Sequence, residues 1–436
     1  MKNLRGLGLQ NTMSQNSPSP DQPIRPSLPL PPPITSEEPG TWAYDTTNTR
    51  IVEIARRTLS ENLFSEEISG RVALLMAAIP QEPIRLLDRT APDALAWESY
   101  IQPYLNQDWL TTPWFFSETY FYRRLIEATG FYEPGPGFGL DPFQYQKEQG
   151  LLTTGASIQA IATRLDNWIA DGNLDEHIAA LLAIDLWGNR ADLSLWPAGE
   201  GGEQPMDVDW EAARAYTLAD DTADVVRHLH GRAGARVDFL VDNAGLELVA
   251  DLALADYLLS TGAAENVFLH LKPHPTFVSD AMISDVQATA DFLAAQENAA
   301  VSAFGRRLRA HMAAGRLLLK DDAFWVSPLA LWEMPKELRQ ELGKSDLIIS
   351  KGDANYRRLL GDRHWPYTTP FASILSYTPA PLLALRALKA ELACGLSEEQ
   401  ISRLNEEDAD WLVNGRWGVI QFALPGGAKS GGVTGQ

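Results

Sequence analysis

Short strand-like runs alternate with helical stretches after Gly234, and this alternation constrains the fold of the chain more than any other feature. The runs are VDFLV (237–241), NVFLHL (266–271), RLLLK (316–320), DLIIS (346–350) and WGVIQF (417–422). Helical periodicity separates them, as in ELVADLALADYLLS. Strands that alternate with helices form parallel βαβ units, and helices then cover both faces of the sheet. We therefore predict an α/β fold, a three-layer αβα sandwich with a mainly parallel sheet.

The remaining chain divides by composition into a helical part and two tails. Residues 41–233 carry apolar side chains at intervals of three and four, as in PWFFSETYFYRRLIEATGF, which predicts an N-terminal helical bundle. Residues 1–40 are rich in proline and predict a disordered tail, and residues 425–436 predict a flexible one. The predicted α/β region is residues 234–424.

Charge and cysteine content limit the partners that we expect. The chain has 36 Lys plus Arg against 57 Asp plus Glu, a net charge of −21, which argues against nucleic acid and anionic membranes as partners. The single cysteine, Cys394, excludes an intrachain disulfide and is expected to be a buried small hydrophobe. No apolar run approaches the ~20 residues that span a bilayer. These features together predict a cytoplasmic protein.

Polar side chains follow three of the strand-like runs. Asp242 and Asn243 come directly after the first run, Asp280 follows the second, and Lys351–Asn355 follow the fourth. The carboxyl ends of parallel strands meet at one edge of a sheet, where ligands bind. The distance along the chain from Asp242 to Asp280 suits one βαβ crossover of ~30 or more residues. We therefore expect these side chains on one rim.

Their chemistry indicates phosphate-ester hydrolysis with a divalent ion. Asp242, Asn243 and Asp280 offer only oxygen ligands, which suit Mg²⁺ or Mn²⁺ better than zinc. Lys351 beside Gly352 suits a phosphate oxygen, because a glycine lets backbone N–H groups approach it. Other interpretations stay open at this point. Asn243 and Asp280 could each cap a helix, and Lys351 could be a surface lysine.

Six motifs, in order along the chain, resemble those of the damage-control phosphatases of the acidic-residue-methyltransferase-like group. They are PWFFSETYFYRRLIEATGF, LAIDLWGNRADLSLW, VDNAGLELVADL, FVSDA, SKGDANYRRLLGD and LRALKAEL, between about Trp42 and Phe422. The resemblance implies a metal-dependent phosphatase that hydrolyses small phosphorylated metabolites, with sugar phosphates as the class. The implied cofactor is a divalent metal, Mn, Mg, Co or Ni.

Carried over by position, the resemblance implies roles for individual residues. The implied metal ligands are Asp242, Asn243 and Asp280. The residues implied to contact the phosphorylated substrate are Asp242, Asn243, Lys351, Gly352, Asp353, Ala354, Asn355 and Lys389. Within this set we predict that Lys351 and Lys389 neutralise the phosphoryl oxygens, and that Asp353 orients water or protonates the leaving group.

Further residues are predicted to act around this site. Asn189, Asp192 and Arg386 could orient ligands or waters from behind, although Asn189 and Asp192 would equally suit a turn and a helix cap. Ala387 replaces the threonine of the family motif, which leaves the fine substrate preference open. Arg386 and Lys389, three residues apart, are predicted to share a helix face.

The other ionisable side chains near these motifs are predicted to have structural roles. We expect Arg123 and Arg124 to pair with Glu118 or Glu127. His270 and His274 are expected to pack or to form hydrogen bonds rather than to bind metal.

Two other functions stay open from the sequence. One is carboxyl methyl transfer from S-adenosylmethionine, for which the candidate glycine cluster is EPGPGFGLDPF (133–143), after a helix rather than after a strand. The other is a metal- and phosphate-binding module without catalysis, in which the Pro-rich tail recruits a partner. Phosphate release from a panel of metabolites separates both from a phosphatase.

Overall fold

The structure, a computed structural model, describes residues 24–88, 91–188, 215–232 and 234–427. Its helices are α1 (Trp42–Asp45), α2 (Ile51–Glu61), α3 (Glu66–Ala78), α4 (Ala94–Ile101), α5 (Trp114–Thr129), α6 (Gln144–Leu152), α7 (Gly155–Asp171), α8 (Leu174–Trp187), α9 (Thr222–Leu229), α10 (Leu246–Thr261), α11 (Ile283–Ala294), α12 (Ala299–Ala313), α13 (Lys336–Leu342), α14 (Gly352–Leu360), α15 (Phe371–Ile374) and α16 (Glu398–Glu407). A π-helical turn, Thr46–Arg50, joins α1 to α2.

The centre of the molecule is a seven-stranded sheet. Its strands are β1 (Thr217–Asp220), β2 (Ala235–Leu240), β3 (Ala264–Leu271), β4 (Leu317–Asp321), β5 (Leu347–Lys351), β6 (Leu382–Ala387) and β7 (Gly418–Ala423), in the order β1-β7-β6-β5-β2-β3-β4. The five strands from β6 to β4 are parallel. β7 runs antiparallel to β6, and β1 is parallel to β7. A mainly parallel sheet was predicted and is confirmed.

Helices cover both faces of the sheet, which confirms the three layers. Because side chains alternate along a strand, Phe239 joins one apolar core and Leu240 joins the other. The first core receives α7, α8 and α10 to α12, and the second receives α13 to α16. No helix in the described residues is long and apolar enough to cross a membrane.

A third apolar core forms the predicted N-terminal helical bundle. Helices α2 to α5 bury a set of aromatic side chains that includes Trp97, Trp109 and Tyr120. The bundle also touches the sheet's loops, because Phe277 and Val278, which follow β3, pack against this core. The bundle is therefore in direct contact with the rim where the candidate ligands were expected.

Two stretches that were predicted to be helical form strands. The segment LRALKAEL was predicted as a helix on which Arg386 and Lys389 share a face, but β6 ends at Ala387, and Lys389 lies in the segment after it. β6 lies between β5 and β7 and is buried on both faces, so it needs no polar alternation, and its Leu and Ala residues imitate a helical pattern. β1, likewise, lies inside the region 41–233 that was predicted as helical.

The division into regions stays a prediction. Two sets of contacts, however, cross the predicted boundaries. Helices α7 and α8 share one apolar core with the sheet, so packing continues across residue 233. In the predicted Pro-rich tail, Ile34 is buried; its N–H donates to the carbonyl of Asp362 (2.9 Å), and its carbonyl accepts from Trp114 N–H (2.8 Å). Ile34 and Ser36, which is also buried, anchor this proline-rich segment to the rest of the fold. Residues 1–23 and 428–436 lie outside the described part.

Candidate active site

A cavity of about 180 Å³ opens at the carboxyl ends of β2, β5 and β6. Most of the side chains that the sequence predicted for the site line this cavity: Asp242, Asn243, Asp280, Gly352, Asp353, Ala354 and Lys389. The rest of the lining comes from the sheet edge, from the loop before Asp280, from the N-terminal helices, and from Glu247 on α10 and Arg357 on α14. The glycine cluster 133–143 contributes no lining residue. The carboxyl ends of the parallel strands therefore bring together residues from three loops that are distant in the sequence, as predicted from their positions after strands.

The loops after β2 and β3 are joined by hydrogen bonds that set Asp242, Asn243 and Asp280 side by side. The N–H of Ala281 donates to the carbonyl of Asp242 (2.8 Å), and Ser279 Oγ donates to Asn243 Oδ1 (2.6 Å). Asn243 and Asp280 also form an isolated antiparallel bridge. Three oxygen-bearing side chains thus converge at one point of the rim.

Helix capping does not explain these three residues. The N-cap of α10 is Gly245, and no side chain caps it. The N-cap of α11 is Met282, whose N–H donates to Asp285 Oδ2 (2.8 Å). Asn243 and Asp280 therefore stand outside both caps, and the capping interpretation that the sequence left open does not describe them.

The electrostatics of the pair of carboxylates favour a cation. Burial, together with Asp280 and Glu247, raises the pKa of Asp242 well above its usual value. Oδ1 of Asp242 is buried and accepts no hydrogen bond from the described residues. Burial also raises the pKa of Asp280, although Lys272 Nζ, 3.1 Å from Oδ2, opposes this shift. A buried acceptor without a donor is costly, and a bound metal ion would satisfy it.

The donor set fits a hard divalent ion. Within the described ranges, no three His, Cys, Asp or Glu side chains form a metal-binding group. The candidate set combines two carboxylates with one amide, which is oxygen chemistry of the kind that Mg²⁺ and Mn²⁺ accept with water in the remaining positions. Both N–H groups of the Asn243 amide are engaged, since Nδ2 donates to Asp242 Oδ2 (2.9 Å) and to Glu247 Oε2 (2.8 Å). Its Oδ1 keeps a second lone pair.

Gly352 puts the start of α14 directly against Asp242. Its φ is +76°, and a β-carbon at this position would lie 1.9 Å from Asp242 Oδ2. Glycine is the residue type that adopts this backbone conformation without a steric penalty. The first N–H groups of a helix have no partner within the helix and attract anions. A helix N-terminus, which favours anions, is therefore in contact with a candidate metal ligand.

Lys351, one residue earlier, points away from the cavity. Its Nζ is buried and lies 2.7 Å from Asp185 Oδ1 and 3.1 Å from Asp251 Oδ1. Burial alone would lower the pKa of Lys351, but these carboxylates outweigh it and raise the pKa. Asn355 is buried as well, and its Nδ2 donates to the carbonyl of Lys351 (2.9 Å). Neither side chain is among those that line the cavity.

Asp353 and Lys389 line the cavity, and Arg386 stands behind them. Arg386 Nε donates to Asp353 Oδ1 (2.7 Å), and the Lys389 N–H reaches the same oxygen (3.2 Å). Arg386 also donates to the carbonyls of Leu392 and Ala390, so it fixes the segment after β6. The Lys389 ammonium has no ion pair in the described part of the chain. It is available to an anionic ligand.

Ten residues that line the cavity were not predicted from the sequence. They are Trp42, Arg50, Trp114, Glu118, Leu186, Glu247, Phe277, Ser279, Arg357 and Leu385. One spacing offered a signal. Trp114 and Glu118 are four apart on α5, so they face one direction. Glu247 lies in the first turn of α10 and accepts a hydrogen bond from Asn243 Nδ2. No local pattern indicates that α5 meets the rim.

The remaining sequence predictions have separate outcomes. Arg124 Nε pairs with Glu127 (2.9 Å) as expected, whereas Arg123 pairs with Asp93 (2.7 Å), which was not predicted. His270 Nε2 lies 2.8 Å from Asp238 Oδ1, a hydrogen bond of the expected kind.

Cys394 is buried, as predicted. Asn189 and Asp192 lie outside the described residues.

Comparisons with known proteins show what the whole chain is similar to. The family model described as "Damage-control phosphatase ARMT1-like domain" matches residues 44–404. Proteins named Damage-control phosphatase ARMT1 are similar to this chain. The one from Danio rerio is 33% identical over 439 residues, covering 90% of this chain and 97% of its own. The one from Bos taurus is 34% identical over 371 residues, covering 79% and 83%.

A solved structure is also similar to this chain. It is the crystal structure of a DUF89 family protein from Pyrococcus horikoshii, with 16% identity, a TM-score of 0.44, and coverage of 86% of this chain and 96% of that one. The family match and the relatives extend over both the helical bundle and the sheet. By these matches, the chain belongs to the family of damage-control phosphatases with an ARMT1-like domain.

Proposed function

We propose that this protein is a metal-dependent phosphatase that hydrolyses the monoesters of small phosphorylated metabolites, with sugar phosphates as the substrate class. Family membership supports phosphatase activity and a role in metabolite repair. The observation that carries the finer proposal is the contact between Gly352 and Asp242. It places a helix N-terminus, which favours anions, beside a buried carboxylate pair that would hold a cation, and both would act on a phosphate ester.

The cation would be held by Asp242, Asn243 and Asp280. Support comes from the unsatisfied Oδ1 of Asp242 and from the mutual proximity of the carboxylates. A divalent ion, when bound there, would polarise the phosphoryl group and lower the pKa of a water molecule. Lys272 keeps Asp280 in place through its 3.1 Å ion pair. The candidate ions are Mn, Mg, Co and Ni.

The phosphoryl oxygens would be bound by the first turn of α14 and by Lys389. The backbone N–H groups of Asp353 and Ala354 lie at a helix N-terminus, where a negative group is stabilised. Lys389 adds a full positive charge to the same cavity. Positioned donors of this kind stabilise the charge that develops as the phosphate is transferred.

Asp353 is the group that we assign to proton transfer. Its carboxylate lines the cavity, and Arg386 fixes Oδ1 so that the side chain keeps one orientation. From there it would orient the attacking water or protonate the leaving oxygen. We revise the role of Lys351, because its ammonium is committed to Asp185 and Asp251. It would hold the strand that leads into Gly352 rather than touch the phosphate.

Phosphate release from a metabolite panel tests this proposal. The panel contains hexose and pentose phosphates, nucleoside monophosphates and an aryl phosphate, each with Mg²⁺, Mn²⁺, Co²⁺, Ni²⁺ or a chelator. We expect release from sugar phosphates with metal, and its loss with chelator. The absence of release from every compound with every metal would overturn the proposal. Saturable binding of sugar phosphates without release would instead identify a binding module.

A further inference from the structure

The cavity has a second group of lining residues that the phosphate chemistry leaves unused. These are Trp42, Arg50, Trp114 and Glu118, all from the N-terminal helices, and we call them the helical wall. Trp42 lies on α1, Arg50 ends the π-helical turn, and the other two lie on α5. A turn of π-helix is uncommon and often occurs at functional sites. The active-site cavity is therefore shared between two parts of the fold.

Building on the proposed function, we propose that the helical wall recognises the carbon skeleton of the substrate. In this proposal Glu118 accepts hydrogen bonds from substrate hydroxyl groups. The wall would make the enzyme prefer polyhydroxylated phosphate esters to esters that lack hydroxyl groups. Glu118 is a specificity residue here and takes no part in the bond that breaks.

Glu118 has one oxygen to spare. Its Oε2 accepts a hydrogen bond from Arg357 Nη1, and its Oε1 has no partner among the described residues. Arg357 does not depend on Glu118 for charge balance, because Asp362 binds it through two hydrogen bonds of 2.8 and 3.1 Å. The Glu118 carboxylate lines the cavity and is not required to neutralise Arg357, because Asp362 already does so.

The negative charge of Glu118 determines which part of a substrate it can bind. A phosphate dianion would be repelled by a carboxylate, so Glu118 does not suit the phosphoryl group. Hydroxyl groups donate to a carboxylate without opposing charge. A hydroxylated carbon skeleton attached to a phosphate held at the α14 end is therefore the suitable partner.

Trp114 provides the matching donor and a rigid support. It precedes Glu118 by four residues, so the two share one face of α5. Arg357 covers the face of its ring at 3.7 Å, while its indole N–H is buried and donates to no described residue. A buried N–H without an acceptor is rare. A substrate oxygen next to Glu118 would satisfy it.

Trp42 is fixed at the other end of the wall. Its backbone N–H donates to Glu391 Oε1 (2.8 Å), and the next N–H, of Ala43, reaches Oε2 (3.1 Å). Glu391 follows Lys389 by two residues, so the start of α1 is tied to the segment that carries the candidate phosphate ligand. A flat indole face suits the apolar C–H side of a sugar. Arg50 lies over the same ring at 5.6 Å.

The test compares substrates with and without hydroxyl groups. We would measure kcat/KM for a hexose monophosphate and for phenyl phosphate in the wild type, Glu118→Ala and Glu118→Gln. We expect Glu118→Ala to lower kcat/KM for the hexose phosphate about 100-fold, because a site built to bind a hydroxyl discriminates strongly. Its kcat/KM for phenyl phosphate should change less than about threefold. Glu118→Gln, which still accepts hydrogen bonds, should lie between.

Two further variants separate recognition from a structural effect. Trp114→Phe keeps the ring over Arg357 and removes the N–H, and it should lower kcat/KM for the hexose phosphate alone, about tenfold, the loss of one hydrogen bond. Glu127→Gln is the matched control, since Glu127 lies on the same helix, pairs with Arg124 and is not among the lining residues of the cavity. It should not change the ratio of the two kcat/KM values.

The outcomes distinguish this inference from the proposed function. Equal losses on both substrates would overturn the inference, because they would show a structural or metal-binding role for Glu118. Unchanged values on both would overturn it too. A wild type that is inactive on every phosphate ester would instead overturn the proposed function, and this inference with it. Monodeoxy analogues of the hexose phosphate then identify which hydroxyl Glu118 binds: the wild type should discriminate against one of them, and Glu118→Ala should not.

Discussion

A β-carbon on Gly352 would lie 1.9 Å from Oδ2 of Asp242, so the start of α14 and the residue after β2 are in contact. This contact places the N–H groups of a helix N-terminus next to a buried carboxylate. Asp242 follows β2 and Gly352 follows β5, and the two residues are more than one hundred positions apart in the sequence. The proposed chemistry depends on this closeness, because phosphate and metal ligands must meet on one substrate.

Gly352→Ala should therefore inactivate the enzyme without unfolding it. The new methyl group would displace Asp242 or the first turn of α14, and a displacement of ~1 Å in an active site costs about 100-fold in rate. Phosphate release and far-ultraviolet circular dichroism measure the two effects. Gly262→Ala is the matched control, because Gly262 also has φ +76° but nothing lies within 4 Å of its β-carbon. A Gly352→Ala enzyme as active as this control would contradict the prediction.

Lys351→Met should destabilise the protein by roughly 3–5 kcal/mol, the cost of breaking a buried ion pair. Asp185, Asp251 and Glu247 would then lack their cation. Urea unfolding measures this loss. The double variant Lys351→Met, Asp185→Asn should recover part of it, since one uncompensated charge is removed. If Lys351→Met keeps full stability but loses substrate affinity, the lysine contacts phosphate after all.

Lys389→Met should raise KM for the phosphorylated substrate about 10- to 100-fold, which corresponds to the ~1.5–3 kcal/mol of a hydrogen bond to a charged group. Lys389 lines the cavity and has no ion pair in the described chain, so its loss leaves no carboxylate stranded. Steady-state kinetics at several salt concentrations measure the effect. Lys344→Met, which removes an exposed lysine that pairs with Glu341, should leave KM unchanged.

His274 should make the protein sensitive to acid between pH ~6.5 and 4. Burial lowers the pKa of His274 to about 4, so the folded state resists a proton that the unfolded state accepts at its ordinary pKa. Stability therefore falls as the pH falls through this window, by on the order of 3 kcal/mol in total. His274→Gln should flatten this part of the profile. Urea unfolding at pH 7.5, 6.5, 5.5 and 4.5 compares the two slopes, and equal slopes would refute the prediction.

The sequence predicts the rim of the site well because the rule behind it is local. Each candidate ligand directly follows a strand, and parallel strands bring their carboxyl ends to one edge. The direction of Lys351 did not follow from the sequence, because β5 is buried on both faces and its side chains show no polar alternation. In the structure Ile349 faces the core with α8 and α10, and side chains two apart on a strand share a face, so Lys351 faces the same core rather than the cavity.

Other parts could not be predicted because they depend on tertiary contacts. β6 is buried on both faces, so its Leu and Ala residues carry no strand alternation, and their spacing imitates a helix. Trp114 and Glu118 belong to the helical bundle, and no local pattern shows that this bundle packs beside β2 and β5. The anchoring of Ile34 arises in the same way, from hydrogen bonds to Asp362 and Trp114.

The most direct test of the account is manganese binding, measured by the electron paramagnetic resonance of free Mn²⁺ during titration of the folded protein. The wild type should bind one equivalent, and Asp242→Ala, Asn243→Ala and Asp280→Ala should each weaken binding by more than the roughly 10- to 100-fold seen for outer-sphere changes. Asp224→Ala, which removes a partly exposed carboxylate that pairs with Arg227 and is not among the lining residues of the cavity, is the control. Unchanged Mn²⁺ affinity in the three variants, with the protein folded, would contradict the account.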